Sequence, residues 1–319
     1  MKALLARLKI DSYILMLIST VALASILPAR GAGVAVAGAA ADIGIVVLFF
    51  MHGARLSRQS VVDGAKHWRL HGAVGSVTYL VFPLLGLALA ALPFLDPWMR
   101  TGILFLTLLP STVQSSIAFT AIARGNVAGA VCSAAFSNLA GIFLTPLMVA
   151  VLLTGQQGGI SGAMVLAIVT QLLLPFLAGH LLQPWLAAWI SRQRRLLTAT
   201  DRGSILLVVY AAFSAAVVDG LWARVSSGDL LLLAGISSAI LALVLTLTRL
   251  LGKWLNFSRE DIVVLQFCGS KKSLASGVPM AGVLFPPATV GSIILPLMIF
   301  HQIQLMVCAV LASRYGRDS

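Results

Sequence analysis

Apolar runs of about twenty residues, separated by short polar stretches, recur along the whole chain. They fall at residues 11 to 29, 34 to 53, 69 to 94, 98 to 123, 127 to 153, 161 to 186, 203 to 222, 229 to 251, 261 to 285 and 289 to 313. Runs of this length predict ten membrane-crossing helices in an all-α polytopic membrane protein, with residues 1–319 forming a single transmembrane domain. Two runs are interrupted by polar residues at mid-length: the fourth by PSTVQSS at 110 to 116 and the ninth by GSKKS at 269 to 273. Glycine, proline and hydroxyl residues at such a point predict a broken helix whose freed backbone groups can bind a solute or ion. Ten spans also divide into two halves of five, about 11–153 and 161–313, and an odd number per half requires opposite orientations. The fifth span carries Pro146-Leu147-Met148 and the tenth carries Pro296-Leu297-Met298, an echo that supports two inverted five-helix repeats.

Composition agrees with a chain that lies almost wholly in a bilayer. It is 59% hydrophobic and 10% charged, with a mean hydropathy of +1.00, which leaves no room for a sizeable soluble domain. The net charge of +12 would suit nucleic acid only with a basic soluble face, and none is present. It reads instead as topology. Seventeen of the 22 basic residues fall in segments on the N-terminal side, three (Arg30, Arg100 and Arg224) fall on the other side, and Lys271 and Lys272 lie inside a span. That asymmetry predicts cytoplasmic N- and C-termini in a bacterial inner membrane. The six tryptophans fall near predicted span ends, as interface anchors do. Lys2, Arg7 and Lys9 before a run ending in VALA imitate a secretory signal, but the run is continuous with nine further spans and is read as the first helix. Cys132, Cys268 and Cys308 are scattered in apolar spans and form neither a disulfide framework nor a metal-like pair. With no paired carboxylates, zinc spacing or serine, histidine and acid in reach of one another, no enzyme activity and no cofactor is expected.

Candidate chemistry concentrates at the two breaks. Lysine near a bilayer centre is costly, about 2.5–3.5 kcal/mol on insertion scales, so Lys271 and Lys272 mark a functional site. Ser111, Thr112, Gln114, Ser115 and Ser116 offer oxygens suited to a hard cation or to the hydroxyl and carboxylate of a small solute. Gly269, Ser270 and Ser273 flank the lysines. Ser133 and Ser137, four apart on one helical face, and Asn138 either line the same cavity or serve close helix packing. His301 and Gln304, three apart, either frame a polar path or bond across helices. Asp42, the one acidic residue well inside a span, either pairs with a lysine or lies near the outer water layer.

With these residues laid out, the chain resembles the bile acid:sodium symporter family over nearly its full length. The resemblance is carried by VLFFMHGARLS at 47 to 57, LPSTVQSSIAFTAIARGNVAGAVCSA at 109 to 134, FCGSKKSLASGVPMA at 267 to 281 and LPLMIFHQIQLMVCAVLA at 295 to 312. It implies a six-helix core and a four-helix panel, broken fourth and ninth helices that cross, and alternating access by rocking or an elevator-like movement. It also implies sodium sites, from which this sequence departs. Phe267 stands where sodium-coupled members carry a glutamate, Lys271 and Lys272 where they carry an amide pair, and Ala130 and Ala134 where they carry hydroxyl ligands. Ser115, Ser116, Ser133 and Ser137 remain as candidate ion ligands. The expected function is secondary transport of a small or amphipathic organic anion, with sodium or a proton as the coupling ion, since a buried lysine can exchange a proton. The alternative is a membrane regulator that keeps the fold without transport. The partners expected are the organic anion and the lipid bilayer, with no nucleic acid; monomer and homo-oligomer both remain open.

Overall fold

The computed structural model describes residues 12–55, 67–153 and 162–317. The described elements are all helical. In chain order they are α1 (Ser12–Ile26), α2 (Ala32–Arg55) and α3 (Trp68–Ser76, a π turn Val77–Val81, then Phe82–Ala90). Next come α4 (Pro97–Leu108), α5 (Gln114–Ile122) and α6 (Val127–Leu152). The chain continues with α7 (Gly162–Ala167, a π turn Ile168–Leu173, then Leu174–Arg192), α8 (Arg194–Val218) and the short α9 (Leu221–Arg224). It ends with α10 (Ser227–Trp254), α11 (Arg259–Gly269), α12 (Leu274–Leu284) and α13 (Pro287–Arg317). Among the described residues, seven helices are long and apolar enough to cross a membrane. The first predicted span is the shorter helix α1, 15 residues long. The fourth and ninth are each two half-helices, α4 with α5 and α11 with α12. The basic residues Lys2, Arg7, Lys9, Arg58 and Lys66, and the signal-like N-terminus up to residue 11, lie outside the described residues.

Local chemistry fixes several helix ends. Asn126 caps α6 by accepting from the Gly129 N–H, Ser258 caps α11 by accepting from the Asp261 N–H, and Ser226 with Asp229 forms a reciprocal capping box on α10. The break after α4 follows from Pro110. A residue before proline is driven out of the helical region, and Leu109 is extended, with φ −77° and ψ 155°. α8 begins nine residues earlier than its apolar run, and Asp201 in those polar first turns pairs with Arg55 of α2.

The helices pack in two groups. In one, α2 lies against α7 and α8, and α8 lies against α1. Gly53 and Gly179 let α2 and α7 touch backbone to backbone. A Cβ on Gly53 would lie 2.0 Å from the Phe176 carbonyl oxygen, and one on Gly179 would lie 2.0 Å from that of Phe50. The second group contains α3 against α4, α6 and α11; α5 against α6, α11 and α13; and α10 and α12 against α13. α8 joins the groups by packing on α12 and α13.

Candidate functional site at the crossed helix breaks

Each interrupted helix leaves carbonyls at its first half's C-terminal end and N–H groups at its second half's start without helical partners. In a membrane interior those groups need partners from the protein. The structure supplies them by laying one break across the other. Ser111 and Ser116 donate from their hydroxyls to the Cys268 and Phe267 carbonyls at the end of α11. The Ser273 N–H donates to the Pro110 carbonyl at 2.8 Å. Ser273 also caps α12 by accepting from the Ser276 N–H. Neighbouring helices complete the set: Thr145 donates to the Leu108 carbonyl at 2.8 Å, the Asn138 amide donates to the Ser111 carbonyl at 2.9 Å, and the Ser111 N–H donates to Ser137 Oγ at 2.9 Å. Asn138 Oδ1 in turn accepts from Ser276 Oγ at 2.9 Å, tying α6 to both breaks.

Three carbonyls converge on Lys272. Its Nζ donates to Leu109 at 2.7 Å, Thr107 at 2.8 Å and Thr78 at 2.9 Å, with the Phe82 ring centroid 4.2 Å away. Two of these oxygens belong to the C-terminal end of α4, where the helix dipole favours a cation. The third is released by the π turn of α3. There the Phe82 N–H bonds to Val77 rather than to Thr78, so Thr78 is left to accept from elsewhere. Lysine ammonium has three N–H donors and no acceptor, and all three are used. A neutral amine would aim its lone pair at a carbonyl, so this cage is built for the charged form. Gln304 of α13 holds the backbone of the same residue, accepting from the Lys272 N–H and donating to its carbonyl, each at 2.9 Å, while its amide nitrogen also meets His301 Nδ1 at 2.8 Å.

Lys271 takes the opposite direction. Its Nζ lies 3.5 Å from Ser115 Oγ in the first turn of α5, 4.3 Å from the Phe119 ring centroid and 5.5 Å from that of Phe267. Ring faces attract an ammonium, more strongly where water is excluded. Both lysines are fully buried. Neither forms an ion pair among the described residues, where the pairs are Arg55 with Asp201 and Arg224 with Asp219. Asp42 is exposed on α2 and pairs with neither lysine.

The crossover therefore brings together Ser111, Thr112, Ser115, Ser116, Ser137, Asn138, Gly269, Ser270, Lys271, Lys272, Ser273, His301 and Gln304. Thr112 Oγ1 links Ser115 and Ser116, at 2.8 Å to each. Two expected residues stand apart. Gln114 is exposed, and Ser133 bonds the His71 ring at 2.7 Å. The four candidate ion-ligand serines all have protein partners, since Ser137 accepts from Ser111 and Ser116 donates to Phe267. Thr78, Phe82, Thr107 and Phe119 were not singled out by the sequence. The only advance signal was Pro83, which removes a helical donor inside the third span.

The sequence model of the SBF-like CPA transporter family matches residues 11–317. The chain belongs to this family. It is 55% identical over 311 residues to "Uncharacterized protein PA2026" of Pseudomonas aeruginosa, covering 96% of this chain and 93% of that protein. It is 50% identical over 312 residues to "Putative symporter YfeH" of Escherichia coli K12, covering 97% and 94%. A zebrafish protein named sodium/bile acid cotransporter 7 is 28% identical over 283 residues, covering 84% and 82%. Membership makes this SBF-like chain a multi-pass membrane transporter family member, consistent with the bile acid:sodium symporter resemblance. Where that resemblance placed a glutamate, the structure has the Phe267 ring, fully buried beside Phe119 and Tyr315. Ala130 and Ala134 are likewise fully buried and add no oxygen from their side chains.

Proposed function

We propose that the protein is a secondary transporter of a small or amphipathic organic anion, working by alternating access in a bacterial inner membrane with both termini cytoplasmic. The two crossed breaks are its site. α1, α2, α7 and α8 act as a panel against a core made of the remaining long and broken helices, and the two breaks belong to inverted five-helix repeats.

The observation that carries this reading is the unequal use of the two lysines. Lys272 spends every donor on carbonyls, whereas Lys271 has one long hydrogen bond, two aromatic faces and no carboxylate among the described residues. Lys271 is thus the charge available to an anion. Ser115 and the start of α5, whose N–H groups carry the positive end of the helix dipole, lie beside it. Ser111, Thr112, Ser116, Asn138, Ser270, Ser273 and His301 supply the hydroxyl, amide and ring groups around this point, and Gln304 and Lys272 hold the break in shape. Thermal melting against a panel of carboxylates and sulfonates tests the reading. An anion that stabilises the wild type should lose its effect in Lys271→Met. Retention of the full effect in that variant would remove Lys271 from the site, and a cavity accessible from one side only under all conditions would favour the non-transporting alternative.

A further inference from the structure

Three carbonyl oxygens from two separate helices point at one buried spot, and in the folded chain the Lys272 ammonium occupies it. Carbonyl dipoles of one sign repel one another at such close range, and a buried carbonyl without a partner costs free energy. The Lys272 ammonium meets them at 2.7, 2.8 and 2.9 Å from Leu109, Thr107 and Thr78. Two further features show that the spot is built around the charge. The fully buried Phe82 ring offers its face at 4.2 Å, and Gln304 fixes the Lys272 main chain on both sides, so the side chain leaves the break in one direction. A monovalent cation held by backbone carbonyls is the same chemistry as a channel selectivity filter, with the carbonyls replacing water.

We propose that Lys272 is a tethered, permanent occupant of a monovalent-cation cage, and that removing its side chain turns the cage into a binding site for an alkali cation or small alkylammonium ion. The wild-type chain then needs no dissolved cation at this point. The consequence for transport, that the charge travels with the carrier rather than with a co-transported ion, rests on the transporter reading above. The cage itself does not, because it is read out by stability alone.

The test is thermal melting of purified wild type, Lys272→Ala and Lys271→Ala in choline chloride, with sodium, potassium or ethylammonium chloride replacing choline at constant ionic strength. Wild type and K271A should show no saturable response. K272A should melt well below wild type in choline and rise along a saturating curve with at least one of the three cations. A saturable response to sodium or potassium in the wild type would overturn the proposal, as would a folded K272A indifferent to all three. If K272A cannot be recovered in any salt, Lys272→Met decides the matter. That variant keeps the bulk without the charge, so wild-type stability in K272M would show that the cage needs no cation, and its failure alongside a recoverable Lys272→Arg would support the proposal.

Discussion

Gln304 shows how much of the crossover depends on single polar side chains. It satisfies both backbone groups of Lys272, and no helix neighbour can replace it because the chain is broken there. Each buried backbone group left unpaired costs about 1–3 kcal/mol. Gln304→Leu should therefore destabilise the protein by roughly 2–6 kcal/mol. Gln304→Glu, which keeps the acceptor and loses the donor, should fall between the two in a denaturation series. Residues of this kind were partly legible in the sequence. Lys271, Lys272, Ser111, Ser116 and Asn138 stood out because polar side chains in an apolar span are costly. Thr78, Thr107 and Leu109 could not stand out, because they contribute main-chain carbonyls, which every residue has. Gln114 differs from its neighbours in exposure. Its neighbours Ser115 and Ser116 turn inward, but successive residues on a helix point about 100° apart, and Gln114 faces outward.

At the scale of the helix, breaks and contacts follow from a few residues whose backbone effects are strong. Pro110 sets the end of α4, and the positions of both broken helices were readable from it and from GSKKS. The π turns in α3 and α7 were not. Each precedes a proline, Pro83 or Pro175, by two residues, but proline within a membrane span more often signals only a kink. The α2 and α7 contact was also invisible beforehand, since glycines are common in membrane spans and only the partner shows which ones matter. There Gly53→Ala or Gly179→Ala would place a methyl carbon 2.0 Å from a carbonyl oxygen of the facing helix. The helices must then separate. Overpacking of this kind costs about 1–3 kcal/mol or more, and each variant should lower the melting midpoint. Gly72→Ala, where an added Cβ meets nothing within 4 Å, should leave it near the wild-type value.

Across the whole molecule, the distribution of charge and the crossing of the breaks point to one arrangement. In the orientation proposed above, the segment after α8 with its Asp219 and Arg224 pair lies on the outer side, and the turn at Asn256 between α10 and α11 lies on the cytoplasmic side. Cysteines placed at Ser226 and Asn256 should be labelled by an impermeant thiol reagent from outside and inside respectively, and the reverse pattern would invert the topology. The family and the all-helical class were legible from motifs and hydropathy. The division of labour between two adjacent lysines was not, because it depends on which way each side chain leaves a broken backbone. That division is the central claim: the crossover carries its own cation in Lys272 and leaves Lys271 for the solute. Its most direct test is a titration of the wild-type protein with sodium in place of choline at fixed ionic strength, followed by thermal melting. A flat midpoint is the result expected, and a saturable rise would contradict it.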